Sequence, residues 1–164
     1  MKIYISYFYQ LRFFPRNAVP LSTAVYDPVW FHEGTRNQEH KFKDRRGVWN
    51  GLRAEPFMPG AACEGFCHGP EYCGLRPDDV EAFSPTKCSF LRRYLIQLNM
   101  LDFDEMMNRF EKLGKTIQNK EGFLEEPIAI LLVHEAPDNP CSERLPLIKW
   151  FADHGYELEE WHNG

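Results

Sequence analysis

Apolar positions come in blocks whose spacing changes along the chain. Residues 3–9 are β-branched and aromatic and predict a strand. Leu21 to Tyr26 predicts a second, short strand, closed by Asp27-Pro28. After Cys88 the period becomes helical, with Phe90, Leu91, Tyr94, Leu95 and Leu98 on one face. Asp102 with Glu105 forms a capping box ahead of a second helix, whose apolar face is Phe103, Met106, Met107, Phe110, Leu113 and Ile117. Ile128 to Val133 is a continuous apolar run, the pattern of a strand buried on both faces in a parallel sheet. Glu143 to His154 predicts a helix ended by Gly155, and Tyr156 to Trp161 a last strand. Strand, helix and strand over residues 128–161 make a βαβ unit. The expected fold is therefore α/β, layered, with a mostly parallel, Rossmann-like sheet in a single domain over residues 1–164.

Between these blocks the pattern fails. Residues 47–85 hold 11 of the chain's 23 Gly and Pro, so regular structure is not expected there. An irregular stretch of that length inside a domain needs something to order it. Cys63, Cys67, Cys73 and Cys88 supply a candidate, spaced C-x3-C-x5-C-x14-C. Four thiolates on a Gly/Pro-rich loop suit one tetrahedral structural Zn²⁺. An iron–sulfur cluster uses the same ligand set and is the alternative. Residues 54–88 are thus read as a metal-stapled insertion.

The fifth cysteine has a different setting. Cys141 lies between the buried strand and the last helix, in the sequence His134-Glu135-Ala136-Pro137-Asp138-Asn139-Pro140-Cys141-Ser142-Glu143-Arg144. Ligands of open α/β sheets bind outside the carboxyl ends of the strands, where this connection falls. Ser142 as N-cap leaves Pro146 in the first helical turn, where proline is tolerated. A thiol at a helix N-terminus beside Arg144 tends toward thiolate, and the same groups suit a phosphate. His134 and Glu135 supply acid/base capacity. The candidate catalytic set is Cys141, Arg144, Glu135 and His134.

Charge is unevenly spread. The net of −5 divides into +1 over residues 1–35, +4 over residues 36–53, −2 over residues 54–120 and −8 over residues 121–164. The basic segment carries Arg36, Lys41, Lys43, Arg45, Arg46 and Arg53 among His40, Phe42 and Trp49. Cations with stacking aromatics are how single strands are held. No apolar run reaches the ~20 residues of a membrane span and no secretory leader is evident, so no membrane partner and a cytoplasmic location are expected. Walker A, G-x-G-x-x-G, H-E-x-x-H and G-x-S-x-G motifs do not occur.

Three segments resemble the domain of unknown function 488 family, in a form met in bacterial and phage genomes. They are Ile3 to Phe8, then Leu21-Ser22-Thr23 through Asp27-Pro28-Val29-Trp30-Phe31, and Ile130 to Arg144. Many members end the third segment's strand with Cys, an aromatic and Glu, followed by a Cys-His-Arg loop. Here Glu135 and Cys141 match, Val133 stands in place of the first Cys, and Ser142-Glu143-Arg144 replaces His-Arg with one extra residue. The Cys-rich insertion resembles that of a subgroup. The resemblance implies an α/β fold and no reaction. Two functions are thus expected as alternatives. One is an enzyme or ligand-binding protein acting on a phosphate-bearing substrate, nucleotide or nucleic acid, at the 134–144 connection. The other is a zinc-stabilised module that binds nucleic acid or protein through residues 36–53.

Overall fold

A computed structural model describes residues 1–32, 42–60, 88–139 and 142–163. Its centre is a four-stranded, all-parallel sheet. The strands are β1 (Lys2–Tyr7), β2 (Ala18–Ser22), β5 (Ile128–Val133) and β6 (Glu159–Glu160), in the order β2-β5-β1-β6. A short antiparallel hairpin pairs β3 (Phe42–Lys43) with β4 (Trp49–Asn50). The helices are α1 (Ser89–Leu98), α2 (Phe103–Glu121) and α3 (Arg144–Asp153). The mixed α/β fold expected from the apolar pattern is present. The proposed insertion falls largely on residues 61–87, outside the described residues.

Alternation along the strands divides the core in two. Ile3, Ile5, Val19, Leu21, Ala129, Leu131 and Val133 face α1, α2 and α3. Ala18, Ile130 and Leu132 face Phe8, Leu11, Phe14, Phe31 and Val48. Among the described residues this second face is covered by 3₁₀ turns and the hairpin.

Three boundaries differ from the sequence reading. The first strand stops at Tyr7 because Phe8–Phe13 forms a 3₁₀ helix. Phe8, Leu11 and Phe14, all buried, recur at the three-residue period of that helix. The second strand lies at residues 18–22 rather than 21–26. It includes Pro20, which is tolerated because β2 is at the edge of the sheet. That edge is partly covered where Ser22 N donates to the Leu52 carbonyl (3.0 Å) and Ala54 N donates to that of Ser22 (2.9 Å). The last strand shrinks to Glu159–Glu160, since Tyr156 Oη accepts the Ile3 N–H (2.8 Å) in place of a strand neighbour.

Local chemistry fixes the remaining ends. Asp102 accepts the Glu105 N–H at 2.9 Å, and Gly122 closes α2 at φ +72°. The cap expected at Ser142 falls one residue later, at Glu143, which makes no side-chain cap bond; Ser142 Oγ accepts the Arg144 N–H at 3.1 Å, and Pro146 lies in the first turn of α3. The hairpin, whose second strand falls in the stretch read as irregular from residue 47, is made by Asp44 and Gly47. Asp44 Oδ1 accepts from Arg46 N (2.8 Å) and Val48 N (3.1 Å), and Gly47 takes φ +87°.

Candidate functional site

Parallel pairing brings four strand ends to one edge of the sheet. Tyr7, Ser22, the 133–135 segment and Glu160 meet there, and α3 starts beside them. The central residue is Arg144, whose side chain is 5% exposed. Its Nη1 donates to the Glu135 carbonyl at 2.6 Å and its Nε to Glu160 Oε2 at 3.3 Å. Nη2 lies 2.9 Å from Glu160 Oε1 but off the hydrogen-bonding angle, so that contact is Coulombic. The guanidinium carbon is 5.9 Å from the Tyr7 ring centre.

Three carboxylates surround this one cation. Burial pushes Glu143 up to about 7, and the neighbouring charge of Glu135 adds to the effect. Glu135 is raised by burial, against the pull of Arg144 and of backbone hydrogen bonds. Glu160 is likewise raised by burial and opposed by Arg144. Glu135 Oε2 is buried with no hydrogen-bond partner among the described residues. One arginine faces three desolvated carboxylates, so burial outweighs its pull and each holds its proton to higher pH than an exposed carboxylate does.

His134 follows β5 on the same rim. It is exposed, its ring centre is 4.9 Å from that of Phe8, and its Nε2 contacts the Tyr26 carbonyl. A second polar group adjoins it at the end of β2. Ser22 Oγ donates to Asp27, Thr23 Oγ1 donates to the Leu132 carbonyl (2.9 Å), and Arg53 Nε donates to Asp27 Oδ2 (2.9 Å).

Of the expected catalytic set, Arg144, Glu135 and His134 come together at the strand ends, while Cys141 lies outside the described residues. Arg144 does not stand open to a ligand; it is turned onto Glu160 and the Glu135 carbonyl. Glu143 and Glu160 join the cluster although sequence reasoning passed over them. Glu143 follows the proposed cap directly and could have been found on that ground. Glu160 arrives only through β6 pairing with β1, and no local pattern announces it.

Cys63, Cys67 and Cys73 are also outside the described residues, and Cys88 is buried immediately before α1. Among the described residues no group of three or more His, Cys, Asp or Glu could hold a metal ion. No described helix is long and apolar enough to cross a membrane. In the basic segment Lys43 pairs with Glu121 (3.1 Å), Arg46 with Asp44 (2.6 Å) and Arg53 with Asp27 (2.9 Å). Trp49 also donates to Glu121 (2.9 Å). Arg45 is exposed. Comparison with protein-family models, curated proteins and solved structures returned no match to this chain.

Proposed function

We propose that the protein is an enzyme or ligand-binding protein for a phosphate-bearing compound, nucleotide or nucleic acid, with its chemistry at the 134–144 connection. The observation that carries this reading is the gathering of Glu135, Glu143 and Glu160 around buried Arg144 at the carboxyl edge of a parallel sheet. Perturbed carboxyls at such an edge suit proton transfer near neutral pH. In this reading Glu143 is the general acid/base, and His134 and Glu135 are its auxiliaries. Arg144 is a positioning residue that fixes the connection by holding Glu160 and the Glu135 carbonyl. Cys141 keeps the role expected of a thiol near a helix start. The Rossmann-like aspect of the fold enters only as this placement of a ligand beyond the strand ends. The resemblance to the domain of unknown function 488 family belongs to the proposal and adds no reaction.

An anion is admitted most easily when Glu143 is protonated. Affinity for a nucleoside monophosphate should therefore fall between pH 6 and pH 8 more steeply than the phosphate's own ionisation requires. Glu143→Gln mimics the protonated acid. It should bind as the wild type does at pH 6, lose the extra pH dependence, and abolish any turnover. If wild type and Glu143→Gln give the same pH profile and the same turnover, the proposal fails. The alternative is a zinc-stabilised module that binds nucleic acid or protein through residues 36–53; of its four described cations Lys43, Arg46 and Arg53 are paired within the molecule and Arg45 is exposed.

A further inference from the structure

The buried ion pair at the strand ends is only partly satisfied. Arg144 Nη2, Glu160 Oε1 and Glu135 Oε2 are each buried with no hydrogen-bond partner among the described residues. Arg144 gives its Nε to Glu160 Oε2 (3.3 Å) and its Nη1 to the Glu135 carbonyl (2.6 Å). A guanidinium and a carboxylate that meet face to face close two parallel bonds. Here they close one, and Nη2, 2.9 Å from Glu160 Oε1, is left at the wrong angle for the second. None of the three atoms is open to solvent, so they do not await a ligand. What would satisfy them is a rearrangement among themselves, and a partly satisfied buried network is costly to keep.

The competing acceptor is already in place. Glu135 and Glu143 both lie in the field of Arg144, and Glu143 also lies in those of Glu135 and His134. Nη1 holds the Glu135 main chain, which leaves the carboxyl of the same residue as an alternative acceptor for Nη2. Burial keeps both carboxyls protonated to higher pH than exposed ones, Glu143 up to about 7. When their protons pass to solvent, two new negative charges compete with Glu160 for one guanidinium.

The element that Arg144 holds through Glu160 is slight. β6 has two residues, paired with β1 at Tyr4 and Ile5. Just beyond it Trp161 N donates to the Ile5 carbonyl (2.8 Å), and the Trp161 ring meets Phe14 edge-on (4.8 Å). Leu158, 4% exposed, anchors the chain in the core immediately before β6. The cations near β6 are Arg144 from α3, Lys2 from β1, which lies near Glu159, and His162 beyond the strand. Of these three, Lys2 and His162 are exposed and Arg144 is buried. The Tyr7 ring of β1 flanks the guanidinium. An ionised Glu160 that loses Arg144 is a buried charge without its partner, and it gains by moving into water.

We infer that this cluster is a proton-operated latch on β6: with Glu135 and Glu143 protonated, Arg144 keeps Glu160 and holds β6 on β1; with both ionised, Arg144 turns to Glu135 and releases β6. The hinge is at Leu158, so the central strands stay paired while residues 159–163 detach. A switch of this kind needs two arrangements of one charge and an element weak enough to follow it, and both are present. The latch uses the carboxyls of the proposed acid/base chemistry and involves no ligand.

The test is amide hydrogen exchange of the full chain, without ligand, between pH 6 and pH 8. It reads the Trp161 amide relative to the Leu131 amide at the centre of the sheet, so that base catalysis common to both cancels. In wild type the protection of Trp161 relative to Leu131 should fall at least tenfold from pH 6 to pH 8. Glu143→Gln and Glu135→Gln should each keep at pH 8 the ratio seen at pH 6. A wild-type ratio that stays level, whether both amides remain protected or both lose protection together, overturns the inference. So does a fall that persists in either variant, which would assign it to His162 or to the Lys2–Glu159 pair. A ratio that follows pH in a protein that binds no monophosphate leaves the latch standing without the proposed function. A level ratio in a protein that does bind one removes the latch alone.

Discussion

Arg144 reads in the sequence as a helix-start cation facing a ligand, yet the fold spends it on Glu160 and on the Glu135 carbonyl. A local pattern can place a charge at a loop, but it cannot show which distant carboxylate will meet it. Glu160 lies 16 residues away and reaches Arg144 through strand pairing. Because the pair is buried, removing one member leaves the other desolvated and unmatched. Arg144→Met should therefore cost about 3–5 kcal/mol in denaturant unfolding. Combining it with Glu160→Gln should recover part of that loss. Glu143 gives a pH prediction of defined sign. Its folded pKa is raised, so the folded state holds more protons than the unfolded chain between 4.5 and about 7. Stability from this group is full below 4.5 and is lost as pH rises through 7. Glu135 and Glu160 are shifted in the same direction and add to the slope. Melting temperature should fall from pH 5 to pH 8. Glu143→Gln should flatten the fall and gain about 1–2 kcal/mol at pH 8, a figure reduced for the residue's partial exposure.

At the scale of elements, long periodic segments were legible and short ones were not. The capping box of α2 was readable because both partners sit within four residues, and Asp102→Ala should lower stability by ~1 kcal/mol in thermal or denaturant melts. The buried run of β5 was readable because both its faces are covered. The 3₁₀ helix after β1 looked like more strand, since aromatics suit either state. Its signal was the spacing of Phe8, Leu11 and Phe14, a period of three that a search for periods of 2 and 3.6 passes over. The last strand was read too long because Tyr156 is itself strand-favouring. A hydroxyl replaces the ladder there, so Tyr156→Phe should cost about 1–2 kcal/mol and speed amide exchange at Ile3.

For the whole molecule, segment charge does not show which cations will meet a carboxylate brought in from a distant element. Residues 36–53 sum to +4; of their four described cations Lys43, Arg46 and Arg53 are held by Glu121, Asp44 and Asp27, and Arg45 is exposed. Glu121 ties the hairpin to the end of α2 from 72 residues away, which no composition window could anticipate. The zinc proposal stands on Cys63, Cys67, Cys73 and Cys88. It expects about one zinc per chain by elemental analysis and a lower melting temperature after chelation. Protein containing neither zinc nor iron would refute both metal readings. The candidate site itself was half legible. The sequence puts Arg144, Glu135 and His134 on one connection, and strand pairing then brings Glu160 to Arg144. The central claim, that this edge holds a carboxyl able to exchange a proton near neutral pH, is tested most directly by carbon NMR titration of the Glu143 side chain. The account predicts a midpoint near 7, displaced downward in Glu135→Gln; a midpoint near 4.5 that ignores Glu135 would contradict it.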